Sequence, residues 1–342
     1  MQHTHFKFIG LEIPVLSFEN IHKLFKQKIF DKDTALKIAN NIKIRSSFNN
    51  ENEAVIDCKQ RLQIVFDCLN IIITQLSVNP TILKIILLPE FVFRPYMGAY
   101  TLEQAHMIVE EMRKFLGNPK WQDFKVVYSI FCAAECTNSN SDSDRAYYEA
   151  YNLCYMQKGN SVDYEATRFS MKKQLSTIDL IKRKKHAKFY EIQTPLLIKN
   201  TWYLEEIDLG SGIRHDQQFC RNDMSGAAVF KLDNITYAIE ICVDHMVYRL
   251  KNNPLLNNYA QVQLIPGCGV VAIEDAIAVK PGGYAFYCDG LWRSSLYTRN
   301  LQGALTKILP RQTFILEHIN SYILYPAPWG IRISYFDPQP IH

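Results

Sequence analysis

Two apolar, β-branched runs constrain this chain most. Ile85-Ile86-Leu87-Leu88 leads into Pro89-Glu90-Phe91, and Ala238-Ile239-Glu240-Ile241 leads into Cys242-Val243-Asp244-His245. Short, nearly continuous apolar runs are how a strand buried on both faces reads. Each run stops at a side chain with its own chemistry, a carboxylate in one case and a thiol in the other. Ligands of α/β proteins sit at the carboxyl ends of the strands. The pair therefore predicts a site in which Cys242 is the nucleophile and Glu90 its base.

The rest of the chain frames these runs. Phe6 to Leu16 reads as a first strand, and 20–52 as a polar, Asn-rich, partly helical insertion. Val55, Ile56, Leu62, Val65, Phe66, Leu69, Ile72 and Ile73 follow helical spacing up to Leu76. Leu102 to Leu116 is a second amphipathic helix, while Leu83 to Leu88 and Val126 to Ala134 are strand-like. Asn138 to Arg145 is a Ser/Asn/Asp loop. Tyr151 to Met156 and Val162 to Met171 read as two strands joined across Gln157-Lys158-Gly159-Asn160. Residues 180–222 fit no period and read as a long excursion. Ala227 to Leu232 and Ile235 to Cys242 form a hairpin across Asp233-Asn234. Gln261 to Ile265 and Tyr284 to Cys288 are further buried strands, and segments near Phe314 to Tyr325 and Ile331 to Tyr335 close the chain. Strands alternate with helices early and hairpins dominate later. That order fits a mixed α/β sandwich better than a dinucleotide-binding sheet, and no glycine-rich phosphate loop is visible.

Composition narrows the function classes. Of 342 residues 48% are hydrophobic and 21% charged, ordinary for a packed core. A net charge of +4 is too weak a basic balance to call for nucleic acid. No apolar stretch nears the ~20 residues of a membrane span, and the first residues lack the basic-then-apolar order of a signal peptide. With nine cysteines, an odd number, reduced thiols and a cytoplasmic location are expected. Cys132 and Cys136, with His215 and Cys220, do not match a standard zinc spacing, so no metal site is expected of them.

The motifs resemble the nitrilase superfamily of carbon–nitrogen hydrolases. That family has a Glu after a Pro at one strand end, a Lys at a later strand end, and a Cys in an Ile-Cys-x-Asp context. Here these are Pro89-Glu90, a lysine with two candidates, and Ile241-Cys242-Val243-Asp244. Tyr151-Asn152 resembles the Tyr-Asn opening the strand before the lysine, and Gln263-Leu264-Ile265-Pro266 the strand that follows the cysteine. The resemblance implies a single domain over 1–342 with a four-layer α-β-β-α sandwich, and a dimer or larger homo-oligomer. It also implies hydrolysis of a small amide, or less readily a nitrile, through a thioester, with no cofactor. Lys172 precedes Leu175-Ser176 in the family's Lys-x-x-Leu manner, whereas Lys184 sits in Arg183-Lys184-Lys185-His186, like another family form. Spacing from Asn152 favours Lys172. Asp179, Glu191, Glu205 and Glu206 are candidates for an assisting acid, and Asp244 is expected to satisfy loop N–H groups. Where members often have Phe-Pro-Glu after the cysteine loop, this chain has Val247-Tyr248-Arg249. That departure keeps two other readings open: acyl transfer by the same residues, and an inactive fold used for binding.

Overall fold

The computed structural model describes residues 3–15, 51–76, 79–95, 99–136, 147–173, 228–254, 256–316 and 330–342. Residues 20–50 of the expected insertion at 20–52, the loop at 138–145, the excursion at 180–222 and residues 317–329 lie outside them.

Two sheets form the body. The first contains β1 (His5–Glu12), β2 (Ile82–Leu87), β3 (Tyr100–Thr101), β4 (Phe124–Cys136), β5 (Tyr147–Lys158) and β6 (Thr167–Met171), with β13 (Gln312–Leu316), β14 (Ile331–Tyr335) and β15 (Gln339–Pro340). Its order is β13-β14-β1-β2-β4-β5-β6, with β15 on β1 and β3 on β4. The second contains β7 (Val229–Leu232), β8 (Ile235–Ile239), β9 (Ala260–Gly267), β10 (Val279–Asp289), β11 (Ser295–Arg299) and β12 (Leu305–Ile308), in the order β12-β11-β10-β9-β8-β7. Both have a parallel centre, β1-β2-β4 in one and β8-β9-β10 in the other, flanked by antiparallel neighbours. The helices α1 (Glu51–Gln75) and α2 (Leu102–Leu116) cover the first sheet.

The period-two alternation explains why the strand runs are apolar throughout. Phe6 and Phe8 of β1, with Leu83, Ile85 and Leu87 of β2, enter a core shared with Ile239, Val262, Leu264 and Phe286 of the second sheet. The alternate residues Ile9, Leu11 and Ile86 face Leu62, Val65, Leu69 and Ile72 of α1 and Ile108 and Met112 of α2. Each strand is thus buried on both faces by different partners. Gly10 stands where the two sheets approach closely: a Cβ there would lie 2.0 Å from the Ser294 hydroxyl.

Three expectations are corrected in detail. Residues 162–166 are not strand: Asp163 starts a 3-10 turn over Tyr164–Ala166, and pairing with β5 begins at Thr167. The Ser161 hydroxyl takes the Asp163 N–H at 3.2 Å, a local bond that competes with a ladder. β5 runs on through Lys158, so the joint is shorter than 157–160. The hairpin holds, with Asp233 and Asn234 both at positive φ (52° and 63°), as a tight two-residue turn requires. Its second strand, however, stops at Ile239 rather than Cys242, and β11 and β12 were not anticipated. Between β8 and β9 stands the single helical turn α3 (Val243–Met246), followed by turns whose Leu250 and Leu256 pack against Val229, Ala238 and Ala260.

Candidate active site

Glu90, Lys172 and Cys242 come from three different strand ends, all at the same edge of the sandwich. β2 ends at Leu87, and Leu88 N–H still reaches the Val127 carbonyl at 2.9 Å. Pro89 has no N–H and stops the ladder. The chain then turns toward the second sheet, where Glu90 N–H donates to the Gly267 carbonyl at 3.2 Å. The turn is tight enough to hold Phe91 at φ 65°. It leaves the Glu90 carboxylate fully buried, with Oε1 accepting from Lys172 Nζ at 2.6 Å and from Asn152 Nδ2 at 2.8 Å.

Lys172 is the first residue after β6. Its backbone N–H donates to the Asn152 carbonyl at 2.8 Å, so the antiparallel pairing itself delivers the ammonium beside the Asn152 amide. That ammonium is 0% exposed and lies 5.6 Å from the centre of the Phe91 ring. A carboxylate and an ammonium buried this deeply are tolerable only as a pair with further hydrogen bonds, which Asn152 provides.

Cys242 follows β8 after a short extension. Glu240 N–H donates to Leu264 O at 3.0 Å and Cys242 N–H to Pro266 O at 2.9 Å, carrying the parallel pairing with β9 past its end. Cys242 then adopts φ 51°, ψ −106°, and α3 starts at the next residue. A non-glycine residue held there costs about 1–3 kcal/mol and persists only where the surroundings over-determine it. The sulfur lies 4.0 Å from the Cys268 carbonyl and interacts with the Glu90 carboxyl. Burial pushes the thiol well above its ordinary value and the negative Glu90 adds to this, while Lys172 pulls it down. The resting sulfur is accordingly protonated and lies beside the Glu90 carboxyl.

Three clusters of hydrogen bonds surround this geometry. Asp244 accepts the Lys173 N–H on both oxygens, at 3.1 and 2.9 Å, and pairs with Arg249 Nη1 at 2.8 Å. Arg249 also reaches the Met171 carbonyl at 2.9 Å. The cysteine loop thereby holds the residues on either side of Lys172. Glu240 accepts from His245 Nδ1 (2.9 Å), Gln263 Nε2 (2.6 Å) and Leu250 N–H (2.7 Å), and Ile273 N–H donates to His245 Nε2 at 3.0 Å. Because Nε2 accepts, the histidine proton sits on Nδ1. Asp289, at the end of β10, accepts the N–H groups of Gly269, Val270, Leu291 and Trp292. Burial raises its carboxyl to about 6 despite these donors. A Cβ on Gly267 would stand 2.7 Å from that carboxylate, so glycine is what lets the loop pass.

The structure therefore brings together Glu90, Lys172 and Cys242, and gives Asp244 the Lys173 N–H to satisfy. Lys184, Asp179, Glu191, Glu205 and Glu206 fall outside the described residues. Sequence reasoning missed the Asn152 amide as a Glu90 partner, although Tyr151-Asn152 had been singled out. It also missed Arg249 and the Glu240–His245–Gln263 group, for which a charged residue inside an apolar run, Glu240 in Ala-Ile-Glu-Ile, was the available signal. No group of His, Cys, Asp and Glu side chains suited to a metal ion occurs among the described residues. No helix among them is long and apolar enough to cross a membrane.

No protein-family model matches the chain, and no curated protein matches it significantly. Solved structures do. A variant of the amidase from Nesterenkonia sp. AN1, with acrylamide added at its active site cysteine, is 10% identical; the match covers 98% of this chain and 93% of that one, with a TM-score of 0.37. A glutamine-dependent NAD+ synthetase from Acinetobacter baumannii is 10% identical over 99% of this chain and 48% of that one, with a TM-score of 0.35. A CN-hydrolase superfamily protein from Xanthomonas campestris is similar at 7% identity over 97% of this chain and 91% of its own, with a TM-score of 0.36.

Proposed function

We propose that this protein hydrolyses a non-peptide carbon–nitrogen bond in a small amide through a thioester on Cys242. The observation that carries the reading is the buried 2.6 Å contact between Lys172 Nζ and Glu90 Oε1, with the Cys242 thiol beside the same carboxylate. In a protein interior such a pair is expensive, and a packed apolar core has no need of it. Glu90 takes the thiol proton as the sulfur attacks the amide carbon, forming the C–S bond. Charge developing on the carbonyl oxygen is held by the Lys172 ammonium and by the N–H of Val243, the first residue of α3. Glu90 returns its proton to the departing amine as the C–N bond breaks, then takes one from the water that attacks the thioester and gives it back to the Cys242 sulfur as the C–S bond breaks. Asn152 keeps the carboxylate aimed, and the Asp244–Arg249 clamp keeps Lys172 in register with the cysteine loop. We read the two packed sheets as the centre of an α-β-β-α sandwich, with the whole chain as one such domain.

The test is ammonia release from a panel of small amides, N-carbamoyl compounds and nitriles, with intact-protein mass spectrometry on the same samples. Turnover with an acyl adduct, both lost in Cys242→Ala and reduced in Glu90→Gln and Lys172→Ala, is the expected result. An adduct that forms without turnover, and is discharged only by an added amine, would replace hydrolysis with acyl transfer. A Cys242 that forms no adduct would overturn both.

A further inference from the structure

The opposite end of the sandwich carries a second cluster of charges. The faces of β4 and β5 that enter the core between the sheets hold Val127, Cys154 and Met156. One step further along each face stands a lysine, Lys125 near the start of β4 and Lys158 at the end of β5. The antiparallel register sets these two lysines directly opposite each other, an arrangement that like charges disfavour. Asp233, from the β7–β8 turn of the other sheet, answers both. Its Oδ2 accepts from Lys125 Nζ at 2.5 Å and its Oδ1 from Lys158 Nζ at 2.7 Å. Burial would raise the Asp233 carboxyl, yet the two lysines hold it below its ordinary value. Burial lowers the Lys125 ammonium, Asp233 opposes this, and Lys158 adds to it.

One carboxylate between two cations leaves an excess of positive charge. A tether between the sheets needs only one lysine, and the second adds repulsion. An ammonium carries three donors, and among the described residues each of these makes one hydrogen bond, the one to Asp233. A cavity of about 1120 Å³ opens beside the cluster, lined by Lys125, Lys158 and Asp233 and, on an apolar wall, by Leu83, Ile235 and Ile341. Clefts that hold small organic molecules run to about 300–1,000 Å³. Asp123, also on the wall, is held by His3 at 3.1 Å and by Lys84 at 3.7 Å. No Phe, Tyr or Trp is among the described lining residues, so a flat aromatic ligand finds no stacking partner there. Leu83 stands near the start of β2 and Glu90 just beyond its other end. At a rise of about 3.3 Å per residue the two places are on the order of 20 Å apart.

We infer that this cavity is a binding site for a small aliphatic anion, whose carboxylate or phosphate group pairs with Lys158 and whose chain lies against Leu83, Ile235 and Ile341. Lys158, 37% exposed, is met first, and the buried Lys125 lends its charge from behind. The site stands apart from Cys242 and does not rest on the hydrolase reading.

Isothermal titration calorimetry on the full chain, at fixed ionic strength, tests this with hexanoate, hexyl phosphate and uncharged 1-hexanol. Wild type should bind one anion per chain at least about 10-fold more tightly than 1-hexanol, as a charge-assisted contact allows. The tighter of the two anions identifies the head group. Lys158→Gln should weaken that anion by about 10-fold or more. Asp233→Asn keeps a residue suited to positive φ and removes the competing carboxylate, so it should tighten the same anion by a similar factor. A loss in one variant and a gain in the other cannot both come from poor folding. Anions that bind no better than 1-hexanol, an affinity unchanged in Lys158→Gln, or one that falls in Asp233→Asn would each overturn the inference.

Discussion

Replacing Lys172 with Met removes the cation but leaves the Glu90 carboxylate in place. Both side chains are 0% exposed and their contact is 2.6 Å, so little water can substitute for the lost ammonium. Breaking a buried pair from one side costs about 3–5 kcal/mol, whereas replacing both partners by neutral groups of similar size often costs little. Glu90→Gln should suffer a comparable loss, since the buried ammonium then loses the carboxylate it contacts at 2.6 Å. The double variant Glu90→Gln/Lys172→Met should be no less stable than either single one. The coupling energy should therefore be about 3 kcal/mol, the upper end for residues in contact. Urea unfolding followed by tryptophan fluorescence gives the four free energies, and ammonia release on the same samples gives activity. Removing one oxyanion donor commonly costs ~10²–10³ in rate, so all three variants should be nearly inactive although the double one is well folded. If the single losses simply add in the double variant to within about 0.5 kcal/mol, the pair is not the coupled, buried unit on which the proposed chemistry depends.

Other consequences are open to test. Burial and Glu90 hold the Cys242 thiol well above its ordinary value, so the thiolate absorbance difference between wild type and Cys242→Ala should stay flat from about pH 6 to 9; a thiolate signal near pH 7 would show that Lys172 dominates instead. Asp289 has its folded-state carboxyl raised from 3.8 to about 6, so it favours the folded state below the lower value, and that stability is lost as pH rises through the upper one. Asp289→Asn should flatten this part of the pH–stability curve, and an unchanged slope between about pH 4 and 7 would refute the assignment. Asp244→Ala frees the Lys173 N–H and leaves Arg249 without its carboxylate, which should cost about 3–5 kcal/mol. Because the clamp sets the position of Lys172, the same variant should lower kcat more than it raises KM, and equal effects on both would argue for a purely structural clamp.

Much of this site was legible because its chemistry lies at the ends of simple patterns. An apolar run that stops at Pro89-Glu90 says where a strand ends and what stands there, and the same holds for Ile241-Cys242. Both facts are local, depending on side-chain type and a period of two. Lys172 was harder, because a lysine at a strand end is common and Lys184 offered a rival motif. Its place became visible only when β5 and β6 paired, with Lys172 N–H on the Asn152 carbonyl. The turn at 162–166 was misread because partial alternation looks the same whether or not a partner strand is there to receive it.

The amino-acid sequence alone determined which segments could be buried strands, which reactive side chains stood at their ends, and the two amphipathic helices that cover one sheet. These follow from hydrophobic periodicity and from residues such as Pro89 that end a ladder. Tertiary structure decided which of those ends meet. It brought the Asn152 amide to Glu90, the Asp244 carboxylate to the backbone beside Lys172, and the Arg94 guanidinium onto two aromatic rings. Such contacts join residues far apart in the chain, and their energies depend on distance and exclusion of water, which no single segment encodes.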